Sequence, residues 1–138
     1  MLTMNQPQTQ STSNILMVRP AVFRKNEETA ENNHYQQDAE IKDVQEVALI
    51  EFDTMVADLK SRGVNVIVIE DDPSSDTPDA LFPNNWVSFH GDGRVGLYPM
   101  FAPNRRNERR EDIFHDLVHT HGFALNEIVV CAEAEKLN

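Results

Sequence analysis

The sequence predicts a mixed α/β domain on three observations. Two short apolar runs, Ile15-Leu-Met-Val18 and Val64-Asn-Val-Ile-Val-Ile69, flank a segment whose apolar residues recur at helical spacing. Two β-type runs, Trp86-Val-Ser-Phe89 and Arg94-Val-Gly-Leu-Tyr98, enclose the turn His90-Gly-Asp-Gly93. A second helical pattern then leads into Glu127-Ile-Val-Val130. The resulting order, β-α-β-loop-β-β-α-β, has strand-strand-helix-strand character and suits helices packed on small sheets.

Each element has a local reason. Residues 1–13 are rich in Gln, Ser and Thr and read as a disordered lead to a domain spanning 14–138. Ile15 to Val18 is a continuous apolar run ended by Arg19-Pro20, as a strand covered on both faces would be. Glu27 to Gln37 is polar and reads as an exposed loop with room for a short helical turn. Val44, Ala48, Phe52, Met55 and Leu59 fall on one helical stripe, which Gly63 can end in a left-handed cap. The β-branched run Val64 to Ile69 is a strand, and Glu70 to Pro78 a loop. Asp92-Gly93 supplies the positive φ of a tight hairpin. The second helix is expected from about Asn107 to His121, with Ile113, Leu117 and Val118 inward and Gly122 as its stop.

Composition removes several function classes. At 138 residues the chain suffices for one domain with its own core. No apolar run approaches the roughly 20 residues of a membrane span, so no membrane partner is expected. A net charge of −11, from 23 acidic against 12 basic side chains, opposes binding to a phosphate backbone, and no nucleic-acid partner is expected. Arg105, Arg106, Arg109 and Arg110 are interrupted by Glu108, Glu111 and Asp112, which reads as a helix start with an anion site nearby. The polar lead has neither a basic n-region nor an apolar h-region, and the cytoplasm is the expected compartment. One cysteine, Cys131, forms no internal disulfide.

The densest group of chemically useful residues is Asp76-Thr-Pro-Asp-Ala-Leu-Phe-Pro-Asn-Asn-Trp86, followed by Ala102-Pro-Asn-Arg-Arg-Asn-Glu-Arg-Arg110. Asp79, Asn84 and Asn85 beside Phe82 and Trp86 read either as turn chemistry or as binding groups on a scaffolded loop. Arg105 and Arg106 read either as a solvated helix start or as a clamp for a carboxylate, whose geometry a guanidinium fork matches. The dipole of a helix start gives cations little structural reason to be there. His115 and His119 lie on one helix face but have no third ligand at matching spacing, and no metal or cofactor is assigned. Cys131 has acidic neighbours at Glu133 and Glu135, which disfavour a thiolate, so no catalytic residue is assigned.

Taken together, Ile15-Leu-Met-Val-Arg-Pro20, Glu51-Phe-Asp53, Gly63-Val64, the Asp76 to Trp86 motif and Leu97-Tyr-Pro-Met-Phe-Ala-Pro-Asn-Arg-Arg106 resemble the amidinotransferase-like pentein superfamily. Within it the chain is most similar to bacterial citrulline-utilisation hydrolases, the citrulline ureidase group. The resemblance runs from about Asn14 to Val130. It implies an α/β propeller of strand-strand-helix-strand modules, in which a late cysteine attacks a guanidinium or ureido carbon and a histidine moves protons. It implies substrate-binding roles for Asp79, Phe82, Asn84 and Asn85, and for Arg105 or Arg106 at the substrate carboxylate. Asn84 and Asn85 stand where arginine- and methylarginine-processing relatives carry a pair that includes an aspartate. A neutral ureido group suits an amide better than a carboxylate, so this departure favours citrulline over arginine.

The family's catalytic histidine and cysteine have no counterparts in this sequence. The expectation is therefore a partial pentein, the N-terminal portion of a hydrolase that binds a small amino-acid substrate in its full-length form. Alone it is expected to be inactive, and unpaired strand edges dispose it to self-association. Two rivals are a noncatalytic α/β remnant or interaction module, and a fragment of an arginine deiminase or amidinotransferase.

Overall fold

The computed structural model describes residues 11–30 and 44–131. Most of the lead expected at 1–13, and residues 31–37 of the expected polar loop, lie outside the described residues. Strand β1 (Asn14–Arg19) pairs in parallel with β2 (Asn65–Glu70), in a register running from Asn14 opposite Asn65 to Arg19 opposite Glu70. Between them come a single helical turn, α1 (Glu27–Ala30), and the long helix α2 (Val44–Ser61).

Helix α2 ends in a Schellman motif. The Val64 amide donates to the Leu59 carbonyl at 3.1 Å and the Gly63 amide to Lys60 at 3.0 Å, with Gly63 at φ +86°. The expected stripe is correct at Phe52, which is buried, and wrong at Met55, which is 56% exposed; half-buried Val56 faces inward instead. Two polar ties explain the tilt toward Val56. Arg19 at the end of β1 donates through Nε and Nη2 to both oxygens of Asp53, at 2.8 and 2.9 Å. Gln45 accepts from the Phe23 amide and donates to the Pro20 carbonyl.

The second sheet holds β3 (Val87–Phe89), β4 (Arg94–Leu97) and β5 (Glu127–Val130). Strands β3 and β4 are the expected antiparallel hairpin, with Gly93 at φ +84°, and β5 lies parallel to β4. Helix α3 (Asp112–His119) connects β4 to β5, so this half of the chain is one strand-strand-helix-strand unit.

Helix α3 is shorter than expected. Pro103–Glu108 is a separate 3-10 segment, and Arg109 at ψ 109° breaks the path between the two. Its buried side is Ile113, Phe114 and Leu117, while Val118 is 36% exposed, so Phe114 replaces Val118 in the core. The Trp86 and Phe114 rings pack at 6.2 Å, and Phe89 meets Phe114 edge-on at the same distance. Trp86, Ile113, Phe114 and Leu117 join Ile67, Val87, Val95, Leu97 and Met100 in one core. Among the described residues no helix is long and apolar enough to cross a membrane.

Candidate functional site

The loop from Thr77 to Trp86 winds as successive three-residue turns. Amides of Ala80, Phe82, Asn85 and Trp86 donate to the carbonyls of Thr77, Asp79, Phe82 and Pro83, at 3.0 to 3.1 Å. Side chains three apart eclipse in such a winding. Asp79, Phe82 and Asn85 therefore fall on one side, and they line a cleft of about 200 Å³ together with Thr29 and Arg105. Pro83 favours this path at the first position of a 3-10 turn, and buried Trp86 anchors its far end in the core.

The opposite wall is built in the same way. In the 3-10 segment Pro103–Glu108, Arg105 and Glu108 are also three apart, and Arg105 donates through Nε and Nη2 to the two Glu108 oxygens, each at 3.0 Å. Its remaining nitrogen, Nη1, donates to Asn85 Oδ1 at 3.0 Å, and its Nε lies 3.8 Å from Asp79 Oδ2. The side chains of Glu108 and Asp79 are 1% and 7% exposed. Burial pushes the Glu108 carboxyl above its ordinary range, and the Arg105 bond opposes that shift without cancelling it. Two buried carboxylates thus face one guanidinium.

Of the six residues expected at the site, the fold brings four together: Asp79, Phe82, Asn85 and Arg105. Asn84 is out of phase with the three-residue winding, is exposed and does not line the cleft. Arg106 turns away, donating through Nε to the Met100 carbonyl at 3.0 Å and through Nη2 to Phe101 at 3.3 Å. It braces the turn after β4.

Thr29, Asn26 and Glu108 did not emerge from the sequence. Thr29 lies in the polar run read as a loop. Its hydroxyl is 3.4 Å from Asp79 Oδ2, within the span of a weak hydrogen bond. Asn26 precedes two glutamates that open a helical turn, which is an N-cap signature that points to its position. Glu108 has the i, i+3 spacing to Arg105 as its signal.

His115 and His119 stack with ring centroids 4.1 Å apart on the exposed side of α3. No group of three metal-ligating side chains occurs among the described residues. Cys131 is exposed just after β5, and its amide donates to Leu97.

A family model described as N,N dimethylarginine dimethylhydrolase, eukaryotic, matches residues 19–137. The chain belongs to this family. Dimethylarginine dimethylhydrolases are a pentein-superfamily family of hydrolases acting on methylated arginine guanidino groups, so the resemblance holds at the level of the superfamily. The matched span includes every residue of the cleft. A comparison with curated proteins found no match.

Proposed function

We propose that the cleft binds an arginine-derived amino acid for hydrolysis at its guanidino or ureido carbon, as one wall of the central site of a pentein propeller. The observation that carries this reading is the convergence of Asp79, Phe82 and Asn85, by their three-residue spacing, opposite Arg105. Asp79 takes a cationic nitrogen, which a buried carboxylate compensates. Arg105 Nη1 and the Asn85 amide N–H offer adjacent donors to a carboxylate. Phe82, 44% exposed, covers an aliphatic stem beside them.

The head group in this reading is a methylated guanidinium, the group on which hydrolases of this family act, and a buried carboxylate such as Asp79 can compensate its charge. A citrulline-type neutral group is the second reading, favoured by the Asn85 amide at a position where the resemblance places a pair that includes an aspartate. The cleft contains no thiol, and the attack on carbon is assigned to a nucleophile from outside it.

Calorimetric titration of the chain with Nω,Nω-dimethylarginine and with citrulline tests the proposal. The expected result is tighter binding of dimethylarginine, lost in Arg105→Ala and weakened in Asp79→Asn. Tighter binding of citrulline selects the second reading. Failure of both to bind, or binding indifferent to both variants, overturns the proposal.

A further inference from the structure

We infer that Asn26 is a positioning residue that aims the Asp79 carboxylate into the cleft and sets its spacing from Arg105. The inference rests on the reading of the cleft as a ligand site.

Asn26 is completely buried, which is costly for an amide unless every polar atom is paired. Here all of its capacity is used. An amide has two N–H donors and an oxygen with two lone pairs. Its Nδ2 donates to Asp79 Oδ2 at 2.6 Å and to Asn104 Oδ1 at 3.2 Å. Its Oδ1 accepts from Asn104 Nδ2 at 2.9 Å and from the Glu28 amide at 3.1 Å. The two asparagines thus form a closed amide pair, and four directional bonds leave the Asn26 side chain one orientation.

Each partner belongs to a different part of the cleft. Asp79 is on the floor loop, Asn104 directly precedes Arg105, and the Glu28 amide belongs to the turn that carries Thr29. A second strut repeats the link, since Glu28 Oε2 accepts from the Asn104 amide at 2.9 Å. Asn26 therefore joins the three walls and holds the carboxylate and the guanidinium at a fixed separation. A role as helix cap accounts for the Glu28 bond alone and leaves the other three unexplained.

Asn26→Ser separates the two roles, because serine is a competent N-cap yet too short to reach both Asp79 and Asn104. The probe is Nω,Nω-dimethylarginine, titrated calorimetrically into the chain. Asn26→Ser is expected to weaken binding about tenfold, the loss of one hydrogen bond to a charged group. The same substitution in an Asp79→Asn background is expected to have no further effect, since its influence passes through that carboxylate. Asn104→Ala, which leaves the Asn26 side chain in place but removes two of its four bonds, is expected to weaken binding in the same direction and serves if Asn26→Ser does not fold.

Parent affinity in Asn26→Ser, or an equal loss with and without the Asp79 carboxylate, overturns the inference alone. Absence of binding by the parent, or an Asp79→Asn variant that binds like the parent, overturns the reading of the cleft and the inference with it.

Discussion

Arg105 and Glu108 form a two-point bridge within a single 3-10 turn, Nε to Oε1 and Nη2 to Oε2, both 3.0 Å. The bridge spends two of the three guanidinium nitrogens on a buried carboxylate and leaves Nη1 toward Asn85. Arginine orientation in the cleft is thereby fixed before any ligand arrives.

Glu108 makes stability pH-dependent in a predictable direction. Its carboxyl is raised in the folded protein by burial above the ordinary value of 4.5. The fold then binds more protons than the unfolded chain above that value, and stability falls as pH rises through the folded pKa. Asp71, raised mainly by burial, acts in the same sense. Asp112 is lowered by its bond to Arg110 and acts oppositely, contributing above 3.8 and losing that contribution as pH falls through its folded pKa. Urea midpoints measured from pH 4.5 to 7 should decline in the parent, with a shallower decline in Glu108→Gln. Parallel slopes would contradict the assignment.

In the second reading, in which the Asn85 amide meets the head group, Asn85→Asp should shift head-group preference. The aspartate keeps the acceptor for Arg105 Nη1 but removes the N–H donor and adds a negative charge at the cleft. Citrulline binding should fall relative to dimethylarginine by about tenfold, the worth of one hydrogen bond. Paired titrations of both ligands into parent and variant give the ratio. An unchanged ratio means that Asn85 does not read the head group.

The chain alone should release no dimethylamine from dimethylarginine and no ammonia from citrulline. The cleft residues Thr29, Asp79, Phe82, Asn85 and Arg105 include no thiol, and covalent attack on a guanidinium carbon needs an activated nucleophile. Product assays on the parent and on Cys131→Ala should be identical. Turnover abolished by that substitution would identify Cys131 as the nucleophile.

Two glycines with the same backbone conformation should differ in their tolerance of alanine. Gly63, at φ +86°, has open space where an added methyl would sit, so Gly63→Ala should cost about 1 kcal/mol from backbone strain alone. At Gly93, φ +84°, a methyl would also meet the Asn126 amide and lie 2.8 Å from the Ala124 carbonyl, so Gly93→Ala should cost about 2 to 4 kcal/mol. Equilibrium urea unfolding of both variants ranks them. Equal losses would remove the steric part of the argument.

Strands, hairpin and glycine stops were legible because each depends on neighbouring residues. The misreadings arose where distant residues decide. Met55 and Val56 are both apolar at adjacent positions, and the choice between them follows from where Arg19 and Gln45 tie α2 to β1. The run from about Asn107 to His121 reads as one helix, yet Arg109 breaks it, with its Nη1 donating to the Tyr98 carbonyl. At the cleft, the motif was visible but its phase was not. A period of three along the loop places Asn85 in the cleft and Asn84 outside it. Asn26 and Thr29 were hidden in a polar segment because their partners lie 50 or more residues away.

The amide pair between Asn26 and Asn104 closes a span of 78 residues, whereas the β1 to β2 pairing closes 51. Closing a longer loop costs more chain entropy, and a hydrogen-bonded pair gives little return until both supporting segments are already packed. The polar network of the cleft is therefore expected to form late in folding. Substitutions there should leave the folding rate nearly unchanged and appear in the unfolding rate instead, as stopped-flow measurements on Asn104→Ala can establish. A ligand that grips this network slows unfolding without hastening the search for the fold.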